Sequence, residues 1–375
     1  MSQAAPIKPH YAILDGLRGV AAVVVVAFHL CEAHSTTRVN EVISHGYLAV
    51  DLFFVLSGFV IGYAYDDRWG KMGVGQFFRR RLARLHPLVV LGMALGAVSF
   101  YFQDSAVYPV VHGIPLWQML GVMLIGMTLL PVPPSMNIRG WVETHPLNGP
   151  AWTLFFEYLA NILYALVLRR LSKTALAALT AVAGAALVHF AVTSPVGDIE
   201  GGWSLTAEQL RIGFTRLMFP FCAGLLLSRV AKPGKLPHAF GGCSLLVVAL
   251  LAMPRLGGSE RLWVNGLYDA LAVTLAFPLI VYWGASGEVR GKYASRLCKL
   301  LGDLSYPLYI THYPLIYLYN GWVSDTHIAL SASWPVALLI LIGSAGLAYA
   351  ALKLYDEPVR RWLGRRRGNE KTINP

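Results

Sequence analysis

Eleven apolar stretches, near residues 12–31, 47–65, 86–102, 117–131, 151–168, 174–192, 211–228, 238–254, 263–284, 299–320 and 334–354, occupy most of the chain. A helix that spans a bilayer needs about 20 predominantly apolar residues, and most of these stretches meet that length. The stretch near 117–131 is shorter and ends at Pro131-Val132-Pro133-Pro134. Hydrophobic residues make up 56% of the 375 and charged residues 14%. A soluble domain carries about 25% charge because its surface faces water. This chain therefore reads as one membrane domain over 1–375, with a helical core at 12–354 and a basic tail at 359–375. The polar N-terminus MSQAAPIKPH has no small-residue cleavage site after the first apolar run, which predicts a retained anchor.

The formal net charge of +11 has a topological origin in such a chain, so no nucleic-acid partner is expected. Its basic clusters lie at Arg68–Arg84, Arg169–Lys173, Arg229–Lys235, Glu288–Lys299 and in the tail VRRWLGRRR. If all eleven stretches cross, the clusters after residue 168 fall outside. If the stretch 117–131 is re-entrant or interfacial, all five fall in the cytoplasm with both termini. The positive-inside rule selects the second count. The fold expected is an all-α polytopic transmembrane bundle of about ten spanning helices plus one short re-entrant or interfacial segment. The location expected is a bacterial inner membrane. Four widely separated cysteines, Cys31, Cys222, Cys243 and Cys298, suggest neither a metal site nor a disulfide framework.

Ionisable side chains inside apolar helices are costly and mark function by default. His29, Asp51, Glu157, His189, Asp269, Asp303 and His312 are of this kind. His29 lies eleven residues beyond Arg18, about 16 Å along a helix. Asp51, Glu157 and His312 are compatible with the same depth. For His189 and His312 a packed, hydrogen-bonded role is as good an account as a chemical one. Asp51 has the alternative of pairing with a basic group, and Asp269 and Asp303 read as structural.

The context of His29 and Glu157 sets them apart. The first helix reads LDGLRGVAAVVVVAFHL, followed by GYLAVDLFFVLSGFVIG, FFRRRLARLHP, AWTLFFEYLANILYAL, GDLSYPLYITHYPL and YDEPVRRWL. In order, from about residue 10 to residue 362, these blocks resemble the acyltransferase-3 family of integral membrane acyltransferases, and the third resembles a block in which arginines precede a proline, here Pro87, that opens the next helix. The resemblance implies about ten crossings with the N-terminus inside, and transfer of an acyl group, acetyl in the simplest case, from acyl-CoA to a carbohydrate hydroxyl. It also implies that His29 is the general base. An imidazole suits that task at neutral pH. Glu157 or Asp51 is the candidate to orient the ring, Glu157 preferred for its block, with contact to substrate hydroxyls as its alternative role.

Coenzyme A is polyanionic, and arginine recognises phosphate bidentately. Arg18, Arg80, Arg81 and Arg84, with Arg79, are the candidates for that headgroup. For Arg79 and Arg80 a plain topological role is equally good. No bound cofactor is expected; acetyl-CoA or another acyl-CoA is the donor substrate. The partners expected are this donor, a carbohydrate or glycolipid acceptor, and the bilayer. No GxSxG elbow or Cys–His pair supports an acyl-enzyme, and Ser57 and Ser305 read as packing or hydrogen-bonding residues. The loop Pro131–Pro150 is the candidate acceptor region. Two other readings fit the same residues: a lipid or sugar transporter or flippase, and an acyltransferase with a non-carbohydrate acceptor.

Overall fold

A computed structural model describes residues 10–35, 37, 40–231 and 234–365. Among them every regular element is helical. The helices are α1 (Ala12–Glu32), α2 (Ala49–Tyr65), α3 (Val74–Ser99), α4 (Leu116–Met127), α5 (Ala151–Leu166), α6 (Lys173–Val192) and α7 (Ala207–Val230). They are followed by α8 (Ala239–Leu251), α9 (Leu262–Leu271), α10 (Phe277–Ala285), α11 (Lys292–Thr311), α12 (Tyr313–Thr326), α13 (Leu330–Ala350) and α14 (Glu357–Arg365). Two π-helical turns, Ala272–Ala276 and Ala351–Asp356, join α9 to α10 and α13 to α14.

Eight helical stretches are long and apolar enough to span a membrane. Two further passes join the same ends of the bundle. One is α8, only 13 residues long; the other is α11 with α12, where the stretch expected near 299–320 breaks at His312. Together they make ten passes, so the chain is a polytopic helical bundle of about the expected count. The segment near 117–131 does not cross. Gly126 of α4 sits against Met93 midway along α3, and the chain then returns so that Arg139 donates to Gln103 Oε1 just beyond the end of α3.

The arginine block required a correction. Pro87 does not open a helix: α3 begins at Val74 and carries Pro87 in its interior. Arg79 to Arg84 therefore ride on the first turns of the same helix. The expected tail at 359–375 begins as helix α14, and residues 366–375 lie outside the described residues.

Close helix contacts use small residues, as membrane bundles require in the absence of a hydrophobic drive between helices. A Cβ on Gly224 of α7 would stand 1.9 Å from the Val55 carbonyl oxygen of α2, so only glycine permits that approach. Helices α1, α2 and α7 are the most enclosed spans, whereas α6 and α13 keep most of their surface outward.

The break at His312 has a local cause. Pro314 lacks the amide hydrogen that would bond the Ile310 carbonyl four residues back. Asn148 Nδ2, on the loop before α5, donates to that carbonyl at 2.7 Å. Replacing Asn148 by Leu leaves a buried carbonyl without a partner, a cost of about 1–3 kcal/mol. The expected outcome is a lower thermal midpoint for Asn148→Leu in detergent, and an unchanged midpoint would remove the bond's structural role.

Candidate functional site

The end of the bundle that gathers the basic residues contains a cavity of about 990 Å³, at the upper end of the usual range for ligand pockets. Its walls come from α1, α2, α3, α5, α11 and α14. Arg18, Arg80, Arg81 and Arg84 all face this one space, and Arg79 does not. Most of the positive charge is already countered. Arg18 Nη2 lies 2.5 Å from Asp15 while its Nε donates to Ser305 Oγ at 3.0 Å. Lys299 pairs with Asp303 at 3.0 Å and Arg360 with Asp356. Arg84 faces the cavity with no hydrogen-bonded or ion-paired partner among the described residues.

Glu157 lies in this cavity, away from His29. It accepts from Arg81 Nη2 at 2.6 Å and from Ser57 Oγ at 3.0 Å. These contacts tie α5 to α3 and α2, and they hold the Arg81 fork in place. The expectation that Glu157 orients the imidazole of His29 is therefore corrected: its carboxylate is engaged elsewhere.

Asp51 is corrected in the same way. It is fully enclosed and pairs with an enclosed Arg216, Nη2 to Oδ2 at 2.6 Å and Nε to Oδ1 at 3.3 Å. The guanidinium also donates to the carbonyls of Tyr47 and Gly201. Asp51 is the anchor of a staple between α2, α7 and the loop before α7. Trp152 is buried beside this guanidinium, its ring centroid 5.6 Å away.

His29 stands beyond the inner end of the cavity, where Phe53 and Tyr309 pack edge to face at 5.4 Å. From Tyr309 the rings continue to His312 at 6.1 Å, and from His312 to His29 at 5.7 Å in a near-parallel stack. The partner of His29 is Glu32, one helical turn on, with Nδ1 and Oε2 2.8 Å apart. A carboxylate only accepts, so Nδ1 is the donor of this bond, and in the neutral imidazole Nε2 carries the free lone pair. The signal for Glu32 was present as i,i+3 spacing on one helix, but its place in the closing turn of α1 hid it. His312 is fully buried, with Nδ1 on the Leu308 carbonyl at 3.0 Å and no partner for Nε2.

A second polar cluster lies past His29. The Tyr313 ring is 4.9 Å from His29 and 4.6 Å from Tyr317. The Tyr317 hydroxyl donates to both oxygens of Glu143, at 3.2 and 3.3 Å. Arg139, fully buried, lies over the Tyr317 ring at 3.4 Å and beside Tyr108 at 5.1 Å. It donates to the Pro146 carbonyl and to Gln103, leaving Nη1 without a partner. Burial pushes the Glu143 carboxyl up to about 7, against the opposing pull of Arg139 and the Tyr317 hydroxyl. Burial also pushes the Tyr108 hydroxyl up to about 12, with Glu143 and Glu32 adding to the effect.

The profile of the acyltransferase 3 family, an acyltransferase domain, matches residues 11–353. The chain is similar to "Protein 2 in picA locus" of Rhizobium radiobacter, 36% identical over 172 residues, or 44% of this chain and 85% of that one. It is 24% identical to "Acyltransferase MdmB" of Streptomyces mycarofaciens over 94% of this chain and 92% of that one. A protein of Staphylococcus aureus (strain COL) named "Putative O-acetyltransferase" is 23% identical over 93% of this chain; the match spans 57% of that relative's length. No solved structure matches. A membrane bundle with a polar, arginine-lined cavity is the class of protein that this site defines. The chain belongs to the acyltransferase 3 family and is an integral membrane O-acyltransferase, which removes the transporter reading.

The position of Glu143 gives a pH test of the far cluster. Its carboxyl binds a proton more tightly folded than unfolded, so folding stability falls as pH rises from about 4.5 towards about 7. Gln has no such slope. Glu143→Gln should therefore gain thermal midpoint relative to wild type across that window. A difference that stays flat from pH 4.5 to 8 would show that the carboxyl is freely solvated.

Proposed function

We propose that this protein transfers an acyl group, acetyl in the simplest case, from cytoplasmic acyl-CoA to a hydroxyl of a carbohydrate acceptor, with His29 as general base. The observation that carries the reading is the His29–Glu32 pair standing just past the inner end of an arginine-lined cavity. Arg84 is a free guanidinium for a phosphate of the donor, as are Arg68 and Arg80 on the same wall, and Arg81, held by Glu157, is a further fixed donor group. The acyl arm then points along the cavity towards Tyr309 and His29.

In the transfer step the acceptor hydroxyl oxygen attacks the thioester carbonyl carbon, and its proton passes to His29 Nε2. The carbon–sulfur bond breaks as the tetrahedral adduct collapses, and the proton on His29 goes to the departing thiolate. Glu32 keeps Nδ1 protonated and stabilises the imidazolium, the part a carboxylate takes in a hydrolase triad. The positive-inside rule supports an inner-membrane location with both termini cytoplasmic, which sets the cavity mouth on the side where acyl-CoA is found.

The test is thiol release from acetyl-CoA by the purified full-length protein with methyl glucoside or methyl galactoside present as acceptor. His29→Ala should cut the rate by about 10²–10⁴-fold, the usual contribution of a general base, with the thermal midpoint retained. Glu32→Gln should lower kcat and leave the donor KM in place. Wild-type rates in His29→Ala would end its role as base. Arg84→Ala should raise the donor KM by about tenfold or more, the value of a charge-assisted hydrogen bond, with a smaller effect on kcat. An unchanged KM would return Arg84 to a topological role.

A further inference from the structure

We propose that Glu143, held by Tyr317 over the buried Arg139, is the specificity-determining carboxylate of an acceptor subsite that adjoins His29 and takes neutral, hydroxyl-rich ligands. This rests on the acyltransfer reading above and adds the place and chemistry of the acceptor.

The cluster has a floor and a rim. Tyr317, Tyr108 and Arg139 form the floor and are buried. Arg139 is fixed there by its two acceptors and three aromatic faces, including Phe100 at 5.3 Å. Glu143, Tyr313, Glu32 and His29 form the rim and keep partial exposure, and Trp141 beside Tyr108 is 45% exposed. Rings at this spacing offer apolar faces to the C–H surface of a polyol. Carboxylates offer acceptors to its hydroxyls.

Two buried polar atoms of the cluster are unpaired: Arg139 Nη1 and Oδ1 of Asn320, whose Nδ2 donates to the Tyr108 hydroxyl. Such atoms cost about 1–3 kcal/mol each when nothing meets them, so the floor has room in its hydrogen bonding for a bridging water beneath the rim. Glu143 itself has only the two long bonds from Tyr317, which leaves most of its acceptor sites open. The charged side chains of the rim among the described residues are both acidic, Glu32 and Glu143. The guanidinium of Arg139 lies below the floor with no exposed surface. Above about pH 7, where Glu143 is ionised, an acidic sugar would meet two carboxylates and no accessible cation. The rim thus selects against anions while binding neutral hydroxyls, discrimination by repulsion as well as attraction.

The continuity with the base is geometric. From His29 the rings of Tyr313 and Tyr317 lead to Glu143 in steps of 4.9 and 4.6 Å and one hydrogen bond. Gly149 allows this: a Cβ there would lie 2.6 Å from the Tyr313 ring, so the loop before α5 can lie directly against it. An acceptor seated on the rim would lie between Glu143 and His29.

The experiment is saturation-transfer NMR on the full-length protein in detergent, titrated with methyl glucoside, methyl galactoside and methyl glucuronide. Wild type should bind a neutral glycoside saturably and the glucuronide at least tenfold more weakly. Glu143→Gln should weaken the neutral ligand about tenfold and narrow the gap to the glucuronide. Tyr317→Phe, which removes the hydroxyl that holds Glu143 in place, should also weaken the neutral ligand. The pH series on Glu143→Gln reports separately that the variant folds. Absence of binding by wild type, equal affinity in Glu143→Gln, or preference for the glucuronide would each overturn the subsite. Thiol release from acetyl-CoA is read on the same preparation, so loss of the subsite and loss of the acyltransfer reading are distinguishable.

Discussion

A charge inside an apolar bundle must bring its partner with it, and this requirement organises the present structure. Stripped of Arg216, Asp51 would be an isolated carboxylate in a medium that penalises ions by several kcal/mol even after relaxation. The structure answers with a guanidinium whose donors meet both Asp51 oxygens and the carbonyls of Tyr47 and Gly201. The pair fixes α2 against α7, where Gly58 and Gly224 already bring the backbones together. Once these helices are set, Ser57 on α2 reaches Glu157, and Glu157 in turn orders Arg81 on α3. A structural ion pair thus supports the cavity without lining it.

The same rule separates two polar regions along the axis. One is the arginine-lined cavity, whose charges are mostly matched within the protein. The other is the cluster of Glu143, Arg139 and tyrosines, where a cation is held under aromatic faces. Between them stand the rings of Tyr309, His312 and His29. Rings suit that position because they fill space at low entropic cost and carry polar edges. The proposed reaction joins a donor from one end to an acceptor from the other and needs its base at such a boundary, where His29 stands.

Much of this was legible in the residues, and the rest failed for identifiable reasons. The apolar runs and the charge count gave the bundle, the non-crossing α4 and the grouping of Arg18, Arg80, Arg81 and Arg84. The carboxylate partners were not legible. Asp51 and Arg216 are 165 residues apart, and nothing in either helix announces the other. Glu157 was assigned to His29 because both matched family blocks, yet sequence blocks carry no information on which side chain faces which. The start of α3 was misplaced because Pro87 was taken as a helix opener; in a membrane bundle, neighbouring side chains re-satisfy what proline frees.

Glu32 is the more instructive omission. A carboxylate that orients an imidazole has to hold its geometry within a few tenths of an ångström. A partner on another helix would make that distance depend on how two helices pack. A partner at i+3 makes it depend on one helical turn, the most rigid spacing the chain has. His29 and Glu32 also sit where α1 ends, so the pair meets polar surroundings while Arg18, eleven residues earlier, faces the cavity. One helix therefore carries Arg18 on the cavity, His29 and Glu32, and in the proposed reaction the spacing between the donor-side arginine and the base is set by the geometry of that single helix. Packing changes elsewhere in the bundle can reshape the two pockets without moving the base relative to its carboxylate.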